Sequence, residues 1–149
     1  MTRIYTSATI ARPIEQVYAY VTTPGHWPDW HPSSLGVTGA TDHSLAVGEE
    51  VTERFRVAGR RGEVVWRVTA RESPLSWTID GRITSAGGGS GVVSYALTPR
   101  DGATFFERTF TYPAPNALFA LLDATLIRRR IQAESEEAMR RLKARLESG

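Results

Sequence analysis

An α+β domain is the expectation for this chain, in the order strand, helix, broken helix, a run of about six strands and one long C-terminal helix. It rests on three features. From Val51 to Tyr112, apolar and polar residues alternate in successive segments joined by hairpin-sized turn signals. Ahead of them a helical period begins at Pro13 and is interrupted by Pro24, Pro28 and Pro32. Behind them, from about Asn116 to about Leu146, leucines recur at helical spacing.

Each element has a local cause. In the first strand, Arg3 to Ile10, the apolar residues Ile4, Ala8 and Ile10 fall at even positions. Pro13 suits the first position of a helix, and Ile14, Val17, Tyr18 and Val21 follow on one face. The stretch TTPGHWPDWHPSS, Thr22 to Ser34, has room only for a short helical turn. Each of its prolines removes a backbone donor and disfavours the helical region for the residue before it. After LGVTGATDHSLAVGEE alternation returns, with Val51, Glu53, Phe55 and Val57 on one strand face. The turn AGRRG leads to a strand that places Val64, Trp66, Val68 and Ala70 together. LSWTIDGRI, GVVSYALTP and ATFFERTFTY follow, separated by TSAGGGSG and RDG, so these strands should pair as an antiparallel meander. The closing helix should bury Leu118, Leu122, Leu126, Ala138, Leu142 and Leu146, while Glu136–Arg140 and Glu137–Arg141 form charge pairs on its wet face. A strongly curved sheet wrapped around one long helix does not close its core along the helix's whole length, and an internal cavity is the natural outcome.

The 149 residues make one domain, 1–149, without a linker, repeat or low-complexity segment. Absence of cysteine excludes disulfides, thiolate metal ligands and a cysteine nucleophile. No stretch approaches the roughly eighteen apolar residues of a membrane span, and MTRIYTSATI lacks a continuous apolar run. The expectation is a cytoplasmic protein without stable membrane insertion. The net charge is +2, Lys143 is the single lysine among many arginines, and no basic stripe is interleaved with aromatics, so no nucleic-acid partner is expected.

The first strand with ARPIEQVYAYVTTPGHWPDWHP, the segment GRRGEVVWRVTARESPLSWTI and the tail YPAPNALFALLDATLIRRRIQAESEEAMRRLKARLE together carry a resemblance over essentially the whole chain. It resembles the START-related SRPBCC superfamily, and its tail looks much like that of bacterial proteins catalogued as polyketide cyclase/dehydrase. The resemblance implies a helix-grip fold: about six to seven antiparallel strands gripping the C-terminal helix, with two short helices after the first strand. It also implies a hydrophobic, lipid- or polyketide-like ligand held between sheet and helix. Polyketide cyclases of this superfamily are thought to shape a poly-β-ketone and to assist enolisation or dehydration with a few polar groups. The fold hosts carriers, sensors and enzymes alike.

The candidate chemistry is sparse. His26, Asp29 and His31 offer zinc-ligand atoms, but the histidines are five apart with Pro28 between them, so they do not share a helical face. The stretch reads as a structural or gating segment, with Trp27 and Trp30 as apolar wall residues, and substrate contact or acid/base work as the alternative. No metal or cofactor is expected. GGGSG at Gly87 to Gly91 lacks the lysine of a phosphate loop and the spacing of a nucleophile elbow, and reads as a hairpin. The triple arginine Arg128–Arg130 reads as a solvated helix face.

Glu53 and Arg108 carry more interest. Glu53 is in phase with Val51 and Phe55, and Arg108 with Phe106, Phe110 and Tyr112, so both are candidates for an inward acid/base pair; a register error or bulge would turn either outward. Tyr18, Tyr95 and Tyr112 are candidate hydroxyl donors, and Trp66 and Trp77 candidate flat walls. Phe55, Phe106, Phe110, Leu118, Leu122 and Leu126 complete the expected ligand-binding set. Two functions fit: a hydrophobic-ligand carrier, monomeric or homodimeric, or a cyclase/dehydratase using Glu53, Arg108 and a tyrosine or histidine in the same cavity. A ligand-free interaction domain is the third.

Overall fold

The alternating segments assemble into a single antiparallel sheet in the computed structural model, which describes residues 1–85, 88–113 and 126–148. Its strands are β1 (Thr2–Ile10), β2 (Ser34–Gly39), β3 (Glu50–Val57), β4 (Arg60–Glu72), β5 (Ser76–Ile83), β6 (Ser90–Arg100) and β7 (Ala103–Tyr112). They pair in the order β1-β7-β6-β5-β4-β3-β2. Between β1 and β2 lie α1 (Ile14–Val21), a single 3₁₀ turn (Pro24–His26) and the one-turn α2 (Trp27–Trp30). The C-terminal helix α3 (Arg128–Glu147) closes the chain. This is the α+β helix-grip arrangement.

Pro13 caps α1 from outside, one residue earlier than its expected place in the helix, and its carbonyl accepts from the Val17 N–H at 3.1 Å. The β3–β4 and β6–β7 hairpins close on two-residue loops, Ala58-Gly59 and Asp101-Gly102. All four residues have positive φ, as a turn matched to the twist of the flanking strands requires. β2 was not expected as a strand, because Gly36 and Gly39 blank its alternation and its pairing slips between Ser34 and Gly36.

A second slip corrects a predicted face. Between Val68 and Ala70 the β4–β5 register shifts, so Ala70 faces solvent rather than sharing the inward face of Val64, Trp66 and Val68. The change of phase turns Arg71 inward, where its Nη1 donates to Ser44 Oγ at 2.7 Å and to the Leu45 carbonyl at 2.9 Å.

α3 buries Ile131, Ser135, Ala138, Met139, Leu142 and Leu146, a three-and-four stripe that packs on β1 and α2. Lys143 Nζ and Gln132 Nε2 donate to the Thr9 and Tyr5 carbonyls, so the helix also covers an edge strand. Leu126, expected on the buried stripe, is 65% exposed: it lies five residues ahead of Ile131, off that spacing. Leu118, Leu122 and the expected helix start at Asn116 lie outside the described residues.

Candidate functional site

The concave face of the sheet, α2 and α3 border a cavity of about 310 Å³. Its width is set by three glycines within strands, each facing an aromatic ring. A Cβ on Gly62 would lie 2.6 Å from the Phe55 ring, one on Gly81 2.5 Å from Trp66, and one on Gly91 2.8 Å from Phe110. Phe55 and Trp66 are the direct cross-strand partners of Gly62 and Gly81. The missing side chains let these rings lie back on the neighbouring strand, which leaves the void in front of them. Gly81, inside the alternation of LSWTIDGRI, was the available sequence signal; Gly62 and Gly91 fell in segments read as turns.

Trp27, Trp30, Phe55, Trp66, Tyr95, Phe110 and Tyr112 line the cavity, as do Glu53 and Arg108. Trp77 and Phe106, expected in the wall, are fully buried in the core and do not line it. Trp77 is held there by its indole N–H, which donates to the Leu45 carbonyl at 3.1 Å, and it stacks on Tyr95, which in turn meets Phe106 edge-on. Tyr18 also lies in the core, with its hydroxyl donating to the Ser76 carbonyl at 2.9 Å. Ile131 and Ser135 line the cavity without having been singled out, and so does His31, which the sequence offered for metal binding, substrate contact or acid/base work.

The prolines of the Thr22–Ser34 stretch deliver two tryptophans as inner wall. Trp27 donates to the Val21 carbonyl at 3.0 Å, and Trp30 is 1% exposed. The candidate zinc ligands are otherwise occupied: His26 stacks on Tyr20, Asp29 pairs with Arg145 at 3.4 Å, and His31 Nδ1 accepts from the Ser33 N–H at 3.1 Å. Among the described residues no group of three or more His, Cys, Asp or Glu side chains is placed to hold a metal ion.

Glu53, set inward between Val37 of β2 and Val64 of β4, accepts the Trp66 indole N–H on Oε1 at 2.9 Å. Burial pushes its carboxyl above the usual range; Trp66, the Ser34 hydroxyl and Arg108 act in the opposite direction. Ser34 Oγ acts on it from outside hydrogen-bonding geometry, since that oxygen has no partner among the described residues. On β7, Arg108 sits in one cross-strand row with Thr6 and Tyr95 and is 8% exposed. The Tyr95 hydroxyl is pushed up to about 12, mainly by burial. Burial, reinforced by the charges of Arg108 and Arg141, holds His31 well below its ordinary range, so the imidazole in the wall is neutral near pH 7. The enclosure combines apolar walls, one carboxyl of raised pKa, one buried cation and a neutral histidine.

The family model for polyketide cyclase/dehydrase and lipid transport matches residues 1–147. The chain belongs to that family. Cyclisation or dehydration of polyketides and transport of lipids, the two activities for which the family is named, both need a cavity for a hydrophobic molecule. Solved structures share the fold. A Thermus thermophilus protein is 14% identical with a TM-score of 0.73, covering 99% of this chain and 98% of its own. A Rhodobacter sphaeroides protein is 23% identical with a TM-score of 0.71, covering 99% and 93%. A START superfamily protein from Mycobacterium smegmatis is 15% identical with a TM-score of 0.67, covering 98% and 97%. At these identities the likeness is one of fold. No curated protein matches the chain. Among the described residues no helix is long and apolar enough to cross a membrane.

Proposed function

We propose that this family member binds a hydrophobic, aromatic small molecule in the cavity between sheet and C-terminal helix. The observation that carries this is the cavity of about 310 Å³, walled by aromatic rings and holding a few polar groups. That volume lies at the lower end of the roughly 300–1,000 Å³ of small-molecule pockets. A thermal-shift screen of hydrophobic metabolites tests it. At one hundred times the dissociation constant a ligand adds about 2.7 kcal/mol, a rise of roughly 5–10 °C for a domain of this size. Saturable quenching of tryptophan by the same compounds should accompany the shift, since Trp27, Trp30 and Trp66 line the cavity. No shift and no saturation across the panel would leave a protein-interaction domain as the better account.

A second function is favoured by one feature, the raised pKa of Glu53 inside that cavity. A carboxyl that retains its proton longer than usual is suited to general acid or base work, here enolisation or dehydration of a poly-β-ketone, with Arg108 and Tyr95 as orienting groups. Glu53→Gln keeps the shape and removes the titratable proton. Turnover of a model polyketide should fall by about a hundredfold or more while binding survives; unchanged turnover would make Glu53 structural.

A further inference from the structure

Three of the residues that line the cavity carry buried polar atoms without a hydrogen-bond partner among the described residues: Trp30 Nε1, His31 Nε2, and Arg108 Nε and Nη1. All of these atoms are donors. An indole nitrogen and a guanidinium only donate. In His31 the Nδ1 atom accepts from Ser33, which leaves the proton of the neutral ring on Nε2. The three side chains are presented by separate elements, Trp30 by the end of α2, His31 by the turn after it and Arg108 by the middle of β7.

The cavity's own acceptors leave these atoms unspent: Glu53 and the Tyr95 hydroxyl both feel the Arg108 charge, but neither hydrogen-bonds its Nε or Nη1. Glu53, on β3, has its Oε1 taken by the Trp66 indole N–H. Arg108 forms no salt bridge among the described residues. A desolvated cation that lines the same cavity as two further unspent N–H groups, and whose charge reaches His31, leaves an excess of donors that an incoming oxygen-rich anion relieves.

We propose that this corner is an oxyanion receptor and that the ligand class is a hydrophobic aromatic carboxylic acid, its carboxylate taking N–H bonds from Arg108, His31 and Trp30. The acid's apolar body lies against Trp66, Phe55 and Phe110. This assignment rests on the ligand-cavity function above and adds the chemistry of one end of the ligand.

The test compares 2-naphthoic acid with 2-naphthamide, a neutral compound of nearly the same shape, by titration calorimetry on the full chain at about 0.15 M salt, where exposed arginines are screened. The acid should bind roughly tenfold or more tightly than the amide. Arg108→Gln should remove that preference by weakening the acid far more than the amide, and Trp30→Phe, which deletes one N–H and keeps a ring, should also weaken the acid more than the amide. Equal binding of acid and amide by the native protein overturns the oxyanion assignment and leaves the cavity function standing. So does an acid preference that survives in Arg108→Gln. Failure of both compounds to bind counts against the cavity function as well. Should Arg108→Gln not fold, the native acid-to-amide ratio and its change in Trp30→Phe decide the matter.

Discussion

Trp66 donates its indole N–H to Glu53 Oε1 at 2.9 Å, and the ring that carries this N–H lies where Gly81, its cross-strand partner, has no side chain. The polar contact inside the cavity therefore depends on an absent methyl group on the neighbouring strand. A Cβ there would stand 2.5 Å from ring atom Cζ3 and 2.7 Å from Cε3, closer than packed carbons approach.

Gly81→Ala should force the Trp66 ring off β5 and into the cavity. The expected cost is about 1–3 kcal/mol, the usual range for overpacking, together with weaker binding of any cavity probe. Urea denaturation and probe titration check both. A variant as stable as the parent, with unchanged probe affinity, would show that the ring relaxes freely.

Glu53 gives a pH dependence of known sign. Its folded pKa lies above the ordinary 4.5, so between those values the folded protein holds a proton that the unfolded chain has released. Stability from this group is complete at acid pH and is lost as pH rises through that window. Glu53→Gln removes the loss: the variant should gain on the native protein as pH rises from the ordinary 4.5 through the folded pKa in parallel urea melts. A difference between the two proteins that does not change with pH would place the Glu53 pKa at its ordinary value.

His31 has the opposite sign. Its folded pKa lies well below 6.5, so the unfolded chain takes up a proton first as pH falls. Stability is complete above 6.5 and is lost below it, down through the folded pKa. His31→Asn retains an acceptor for the Ser33 N–H and should flatten the acid limb of a stability–pH profile. An unchanged limb would mean that the imidazole reaches solvent.

At the β3–β4 tip, Ala58 has φ of 49°, and its N–H is held by Glu134 Oε1 at 2.9 Å. Alanine is strained there and asparagine tolerates it. Ala58→Asn should stabilise the fold by about 0.5–1 kcal/mol, seen as a raised urea midpoint at constant slope. A lowered midpoint would show that the added side chain disturbs the Glu134 contact.

The same Glu134 carboxylate also accepts the Ser33 hydroxyl at 3.0 Å, tying the segment after α2 and the β3–β4 tip to α3. Nothing in the local pattern around Ser33, Ala58 or Glu134 announces that link, and it separates what was legible from what was not. Period-two and helical patterns are set by neighbours a few residues away, so the order of side chains was enough for β1, α1, β3 through β7, the C-terminal half of the buried stripe on α3, and the inward phase of Glu53 and Arg108. Where pairing slips, local phase misleads. Ala70 and Arg71 exchanged faces at the β4–β5 slip, and β2 lay hidden behind two glycines. Which inward residues meet the void, and which meet one another, was settled by assembly in three dimensions. Sheet curvature and the seat of α2 and α3 sent Trp77 and Phe106 into the core while leaving Trp66, Phe110 and Arg108 at the cavity. Cross-strand register set Gly62 and Gly81 beneath Phe55 and Trp66, and packing around α2 buried the unspent Nε2 of His31. Register and closure join residues far apart in the chain, and no short-range periodicity encodes them.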